Sequence, residues 1–187
     1  MLTEACPAKM VGLTKAVCMR TLLSLLLCLA FAVPALAEPF RVVDVADGDT
    51  ITVEPRLGGN RVKIRLHGID APKLRQPHGQ AARRFVINAV LYKLVNVQPT
   101  PQGKDRYGRT IAIVDVPGVG ILQEMLLQAG LAWVYPQYCK DCKEWEAMQA
   151  EAKAQQRGLW ARKGVEGKAV PPWEWRKAHS AGVKAMY

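Results

Sequence analysis

The chain has 187 residues, half of them hydrophobic, and a formal net charge of +10. That length leaves room for one domain and supplies enough apolar material for a real core. The positive excess favours polyanionic partners, chiefly nucleic acid, although charge alone does not separate nucleic acid from a membrane surface. Residues 1–37 read as a secretory leader. Met19 and Arg20 give a positive start, Thr21 to Val33 is almost wholly apolar, and Pro34-Ala35-Leu36-Ala37 puts small residues where a signal peptidase reads. Cleavage is expected after Ala37, with Met19 as an alternative start. The apolar run is well short of the roughly 20 residues that span a bilayer, so stable membrane insertion is not expected. Leu27 before Cys28 argues against lipidation. The expected location is therefore exported, periplasmic or secreted.

The leader holds Lys9, Lys15, Arg20 and Glu4, so residues 38–187 keep 23 basic and 15 acidic residues, a net +8. The basic excess therefore lies outside the leader, in the expected domain, residues 38–162, and the tail after it. Cys6, Cys18 and Cys28 leave with the leader. Cys139 and Cys142 remain as a pair in an oxidising compartment, which favours a disulfide over free thiols. Zinc would want four ligands, and none of the three histidines lies near that pair.

Arg41 to Ala46 reads as a strand, Asp47-Gly48-Asp49 as a turn, and Ile51 and Val53 mark a second strand completing a hairpin. From Val62 the alternation is clean. Val62, Ile64 and Leu66 share one face; Lys63, Arg65 and His67 share the other. Pro72 stops that strand. Gly79 to Leu91 has helical spacing, Leu94 to Val97 is a short strand, and Pro99 to Gly108 is a polar loop. Thr110 to Val116 is a further strand, in which simple alternation sets Arg109 with Ile111 and Ile113 on the presumed core side; a place at the barrel mouth is expected to relieve this. Helices follow at Ile121 to Ala129 and Cys139 to Arg157, stopped by Gly130 and Gly158. The tail, 163–187, reads as irregular and partly packed through Trp173 and Trp175. The fold class is mainly β with helices (α+β): five strands in a closed or nearly closed barrel, with about three helices. Strands first and helices last exclude a doubly wound parallel sheet.

Two acidic elements, Asp47-Gly48-Asp49-Thr50 and Asp70-Ala71-Pro72, sit at strand ends. Carboxylates from two loops can hold a hard cation, with carbonyls and waters completing the shell. The same residues are also common turn formers. Arg65 lies on a polar strand face, and Arg109 follows Tyr107-Gly108 beside a basic loop with Lys104 and Arg106. A guanidinium fork suits a phosphate carrying developing charge, although a lone strand arginine is usually a surface charge.

Three stretches together are specific. Val43 to Thr50, Lys63 to Pro72 and Asp105-Arg106-Tyr107-Gly108-Arg109 resemble the signature stretches of the staphylococcal nuclease (thermonuclease) family, in order and approximate spacing. Leu126 to Tyr135, Gly158-Leu159-Trp160 and Pro172-Trp173-Glu174-Trp175 resemble exported bacterial members. The likeness covers roughly residues 40 to 176. It implies an OB-fold barrel and Ca²⁺-dependent hydrolysis of DNA and RNA; little sequence preference and a monomeric state are expected alongside. Carried over by motif, Asp49 and Asp70 are side-chain ligands of calcium and Ala71 offers its main-chain carbonyl. Arg65 and Arg109 grip the scissile phosphate, Tyr107 lines its pocket, and Tyr135 stacks on a base. Such stacking tolerates any sequence.

One position departs. Where the family has a Glu that activates water, this chain has Lys73. A protonated Lys cannot accept the proton, and its charge repels a nearby Ca²⁺. Loss of a general base costs about 10²–10⁴-fold. A second expectation therefore stands beside the nuclease: a nucleic-acid-binding protein of the same fold with crippled catalysis. A third, a purely structural OB module that binds protein, is disfavoured by paired acids beside paired arginines. His67 shares Arg65's face but is expected to be structural, and His78 and His179 to lie on the surface.

Overall fold

The structure is a computed structural model and describes residues 38–161 and 169–184. The expected leader, 1–37, lies outside the described residues. The elements are β1 (Phe40–Asp47), β2 (Thr50–Pro55), β3 (Val62–Leu66), β4 (Ile69–Asp70), α1 (Gly79–Val90), β5 (Leu94–Lys104), β6 (Thr110–Val116), β7 (Gly120–Ile121), α2 (Leu122–Gln128), β8 (Trp133–Val134), α3 (Lys143–Ala154), a 3₁₀ turn (Gly158–Trp160) and α4 (Pro172–Lys184).

The sheet runs β3-β2-β1-β5-β6-β7, and β3 also pairs with β6. That extra pairing is parallel, with Ile64 beside Thr110 and Leu66 beside Ala112. It closes β1, β2, β3, β5 and β6 into a five-stranded barrel of OB type, so these strands have no free edge along the closed seam. β7 merely extends the rim of β6. Inside lie Val42, Val45, Ile51, Val53, Ile64, Leu66, Val95 and Val114, all buried. Val42 and Val45 both point inward although three residues apart. The β1–β2 register slips between Val42 and Asp44, and this bulge restores the inward face.

Helices plug the barrel. α1 brings Ala82, Val86 and Val90 to the core, and α2 brings Leu122, Leu126 and Leu127. Buried Gln123 donates to the carbonyl of Ala112 and accepts the N–H of Val114, so it serves β6 as a short stand-in strand. A two-stranded ladder, β4 against β8, places Asp70 opposite Trp133. Cys139 and Cys142 are bonded to each other, Cα atoms 5.4 Å apart, just before α3. Among the described residues no helix is long and apolar enough to cross a membrane.

Four features differ from the sequence pattern. β5 continues to Lys104 and takes up much of the expected polar loop. α3 begins at Lys143, after the cysteines rather than at Cys139. Residues 172–184 form a fourth helix where an irregular tail is expected; Trp173 reaches the barrel, whereas Trp175 stacks on His179 of its own helix. Finally, the core face of β6 is Ala112, Val114 and Val116; Ile111 and Ile113 lie on the half-exposed side. Arg109 is therefore on the outer face by ordinary alternation, and the expected conflict does not exist.

The β1–β2 turn fixes the geometry that matters most. A methyl at Gly48 would meet Ala82 Cβ at 2.7 Å and Ala71 Cβ at 2.8 Å. The turn is thus pressed between α1 and the segment after β4, and only glycine allows that approach. Gly48→Ala is expected to lower stability by about 1–3 kcal/mol, the usual range for overpacking. Urea denaturation of the two proteins measures the difference, and an unchanged midpoint would refute the tight contact.

Candidate active site

The compressed turn carries Asp49 into the protein, where its side chain has 0% exposure. Its Oδ2 accepts the N–H of Ala71 at 2.9 Å, and its Oδ1 accepts the hydroxyl of Thr50 at 3.0 Å. Asp70, held by the β4–β8 ladder, is 1% exposed. Arg65 reaches both acids from the outer face of β3: its Nη2 is 3.4 Å from Asp49 Oδ2 and 3.1 Å from Asp70 Oδ1. Nη1 of the same guanidinium donates to the carbonyl of Leu66 at 3.0 Å.

Lys73 lies at the centre of the acids. Its Nζ is 3.4 Å from Asp49, 3.5 Å from Asp47 and 3.8 Å from Asp70. The loop aims it there: Gln76 donates its N–H to the Lys73 carbonyl at 2.7 Å and accepts the Lys73 N–H on its own side chain at 3.2 Å. Among the described residues no three His, Cys, Asp or Glu side chains are grouped as a metal site. Here three carboxylates gather round an ammonium instead. The donor set suits a cation, two buried carboxylates from separate loops with a third beside them. The spacing is that of an ammonium; calcium takes its oxygens at about 2.3–2.6 Å.

Electrostatics sort the three acids. Burial alone would raise Asp49, but Arg65 and Lys73 outweigh it, with the Ala71 N–H adding to them, and its carboxyl is held well below the usual range. Asp47 and Asp70 go the other way. Burial pushes both up, and the charge of Asp49 adds to the rise.

The second arginine is tied in through a hydroxyl. Arg109 Nη1 donates to Thr50 Oγ1 at 3.0 Å, and that hydroxyl donates on to Asp49. Arg109 is steadied by Asp105, whose Oδ2 accepts Nε at 2.8 Å while its Oδ1 accepts the N–H groups of Tyr107 and Arg109. Tyr107 is 69% exposed at the tip of this turn, with Arg106 and Arg109 over its ring. Tyr135 stands across the opening, its ring tilted against Tyr138. Ala71 is buried and meets the site through its N–H. Cys139 and Cys142 are not among the residues lining this opening. His67 is, with its pKa lowered by burial and its ring near Trp145.

These groups border one open cavity of about 790 Å³, whose lining includes Arg65, Asp70, Lys73, Tyr107, Arg109 and Tyr135. Six cationic side chains and two carboxylates line it, so it attracts an anion strongly. Asp49 lies just behind the wall. The structure thus brings together the two acids, two arginines and two tyrosines that the sequence singles out. It adds four residues to which the sequence assigns no separate role: Asp47, Thr50, Asp105 and Arg176. Arg176 comes from α4 and grips both oxygens of Asp70, at 3.2 and 2.9 Å. The dipeptides Asp49-Thr50 and Asp105-Arg106 carried a signal for the middle two; nothing local marked Arg176.

A family model described as "Staphylococcal nuclease homologue" matches residues 63–162. A Haemophilus influenzae protein named "Uncharacterized endonuclease" is 37% identical over 147 residues, 79% of this chain and 78% of its own. A protein of the same name from Escherichia coli O157:H7 is 40% identical over 136 residues, 73% and 83% of the two chains. A Shigella flexneri protein named "Micrococcal nuclease" is 35% identical over 162 residues, 80% and 87% of the two.

Lys73 is the group on which the acids' charge balance turns. Lys73→Met is expected to destabilise at neutral pH by more than the ~1 kcal/mol of an exposed pair and less than the ~3–5 kcal/mol of a fully buried one. Asp47 and Asp70, already raised, rise further without the ammonium. The native state then keeps protons that the unfolded chain has released, so stability falls as pH rises through that range and recovers below it. Urea titrations near pH 7 and about pH 4.5 should show the gap from wild type narrowing in acid. A gap that widens in acid would overturn this account.

Proposed function

The chain belongs to the staphylococcal nuclease family and is a nuclease, and from that premise we propose that it is a calcium-dependent enzyme hydrolysing DNA and RNA with little sequence preference. One observation carries the reading: Asp70, Arg65 and Arg109 line one basic cavity with Asp49 directly behind its wall, Arg65 bonded to both acids and Arg109 linked to Asp49 through Thr50. Asp49 and Asp70 would hold calcium with the carbonyl of Ala71. When bound, the ion supplies positive charge to a phosphate oxygen and acidifies a water. Arg65 and Arg109 orient the scissile phosphate and stabilise the charge that grows on its oxygens. Tyr107 walls the phosphate pocket, and Tyr135 offers a stacking face for a base of any identity. Export to the periplasm or medium fits the apolar leader and the cysteine pair.

A second reading, a nucleic-acid binder with crippled catalysis, is favoured by one feature. Lys73 Nζ stands among the three carboxylates, where the water-activating Glu is expected. An ammonium there donates to the acids and takes no proton from water.

Residues 38–187 incubated with heat-denatured DNA or RNA, with Ca²⁺ or with chelator, separate the two. The nuclease reading expects calcium-dependent degradation that Asp49→Asn abolishes and that Arg65→Met or Arg109→Met lowers by about 10²–10³-fold. Lys73→Glu is expected to raise the rate by about 10²-fold or more. Binding without cleavage in the wild type selects the second reading. An unchanged rate in Lys73→Glu would show that water is activated by another group.

A further inference from the structure

The last described helix is attached to the barrel chiefly through the site. Pro172 opens α4, a favoured first position because its missing N–H needs no partner there. Just before it, the carbonyl of Val170 accepts the side-chain N–H of Gln76 at 2.6 Å, and Gln76 is the buried residue that braces Lys73. Trp173 then lies on Tyr135 with ring centroids 5.3 Å apart and planes within 16°. One turn on, Arg176 forks onto Asp70, 106 positions earlier in the chain. A helix serving only as packing would send an apolar stripe into the core. In this helix Pro172 is buried, Trp173 and Arg176 are half-buried at the site, and Trp175 turns back onto His179.

Arg176 is also one of four guanidinium groups in the cavity wall. It lines the same space as Arg65 and Arg109, and it keeps 41% of its side-chain exposure while Asp70 keeps 1%. A fork that fits the two oxygens of a carboxylate fits two oxygens of a phosphate equally well. The stacked pair Tyr135–Trp173 forms an aromatic stack that a base can extend, beside a cluster of positive charge. Alternating cations and aromatic faces are what a single polynucleotide strand requires, charge for the backbone and rings for the bases.

We propose that α4 forms the second wall of the substrate cleft, with Arg176 contacting a backbone phosphate next to the scissile one and Trp173 extending Tyr135 as a base-stacking platform. The inference rests on the nuclease reading and adds to it a strand-binding element from outside the barrel. The helix thereby favours single-stranded substrate, because bases must be unpaired to reach the rings.

Fluorescence anisotropy of a labelled oligothymidylate, measured in chelator so that nothing is cut, tests this. Trp173→Ala and Arg176→Met are each expected to raise Kd about tenfold. Arg176→Met should also flatten the plot of log Kd against log salt by about 0.7, one phosphate contact on a single strand. Arg176→Lys should keep the salt slope yet lose affinity, since it retains charge without the fork. Lys177→Met, one exposed residue along the helix, should scarcely change Kd. Thermal melts establish that each variant is folded. Variants that bind as tightly as wild type would reduce α4 to packing, and tighter binding would make it a cover over the site; either result overturns the proposal while leaving the nuclease reading intact. A wild-type protein that does not bind the oligonucleotide overturns both.

Discussion

The barrel mouth is organised around one anion that water does not reach. Asp49 has no exposed surface, and an isolated charge in that position is costly. It is tolerated because four donors converge on it: the N–H of Ala71, the hydroxyl of Thr50, and the cations of Arg65 and Lys73. Each donor comes from an element that must be in register for the contact to exist. Arg65 needs β3 beside β2, where Thr50 faces it across the ladder. Ala71 needs the turn at Gly48 to press against it. Satisfying one carboxylate therefore fixes the relative positions of β2, β3 and the segment after β4, and with them the cavity that those elements border.

Much of this was legible in the sequence, and what was hidden has physical reasons. β3 showed itself because its two faces differ, with Ile64 and Leu66 inside and Lys63 and Arg65 outside. β6 did not, because Ile111 and Ile113 are as apolar as Ala112, Val114 and Val116; period two names two faces and cannot choose between equals. The sequence pattern ends β5 at Val97, before Pro99 and Pro101. In the fold its pairing with β1 is confined to Leu94 and Val95, so beyond them those prolines need no donor on that side. Within the tail that the sequence leaves irregular, Pro172 is a helix start.

The site divides along the same line. Asp49, Asp70, Arg65 and Arg109 lie in short motifs, and convergence followed once the barrel closed through the β3–β6 seam. Thr50 and Asp105 sit inside those motifs, but their work as links depends on side-chain directions that a motif does not spell out. Arg176 was beyond reach. Its contact with Asp70 joins residues 106 apart in the chain. Long-range ion pairs leave no local pattern, so the cleft's second wall becomes visible only in three dimensions.

Lys73 shows why the sign of a charge must be judged with its neighbours. Taken alone it opposes a cation, which is how its place in the motif reads. In the fold it is drawn in by Asp47, Asp49 and Asp70, and with Arg65 and Arg176 it sets three cations in direct contact with three carboxylates. A glutamate there would make four acids against two arginines, an arrangement that calls for a divalent ion. With lysine the cluster is balanced without one. A divalent ion placed among these acids would have to displace a tethered ammonium, and the free energy of that exchange would be subtracted from its net binding. Under the nuclease reading, lysine at this position would therefore lower metal affinity and water activation together, through the same three carboxylates.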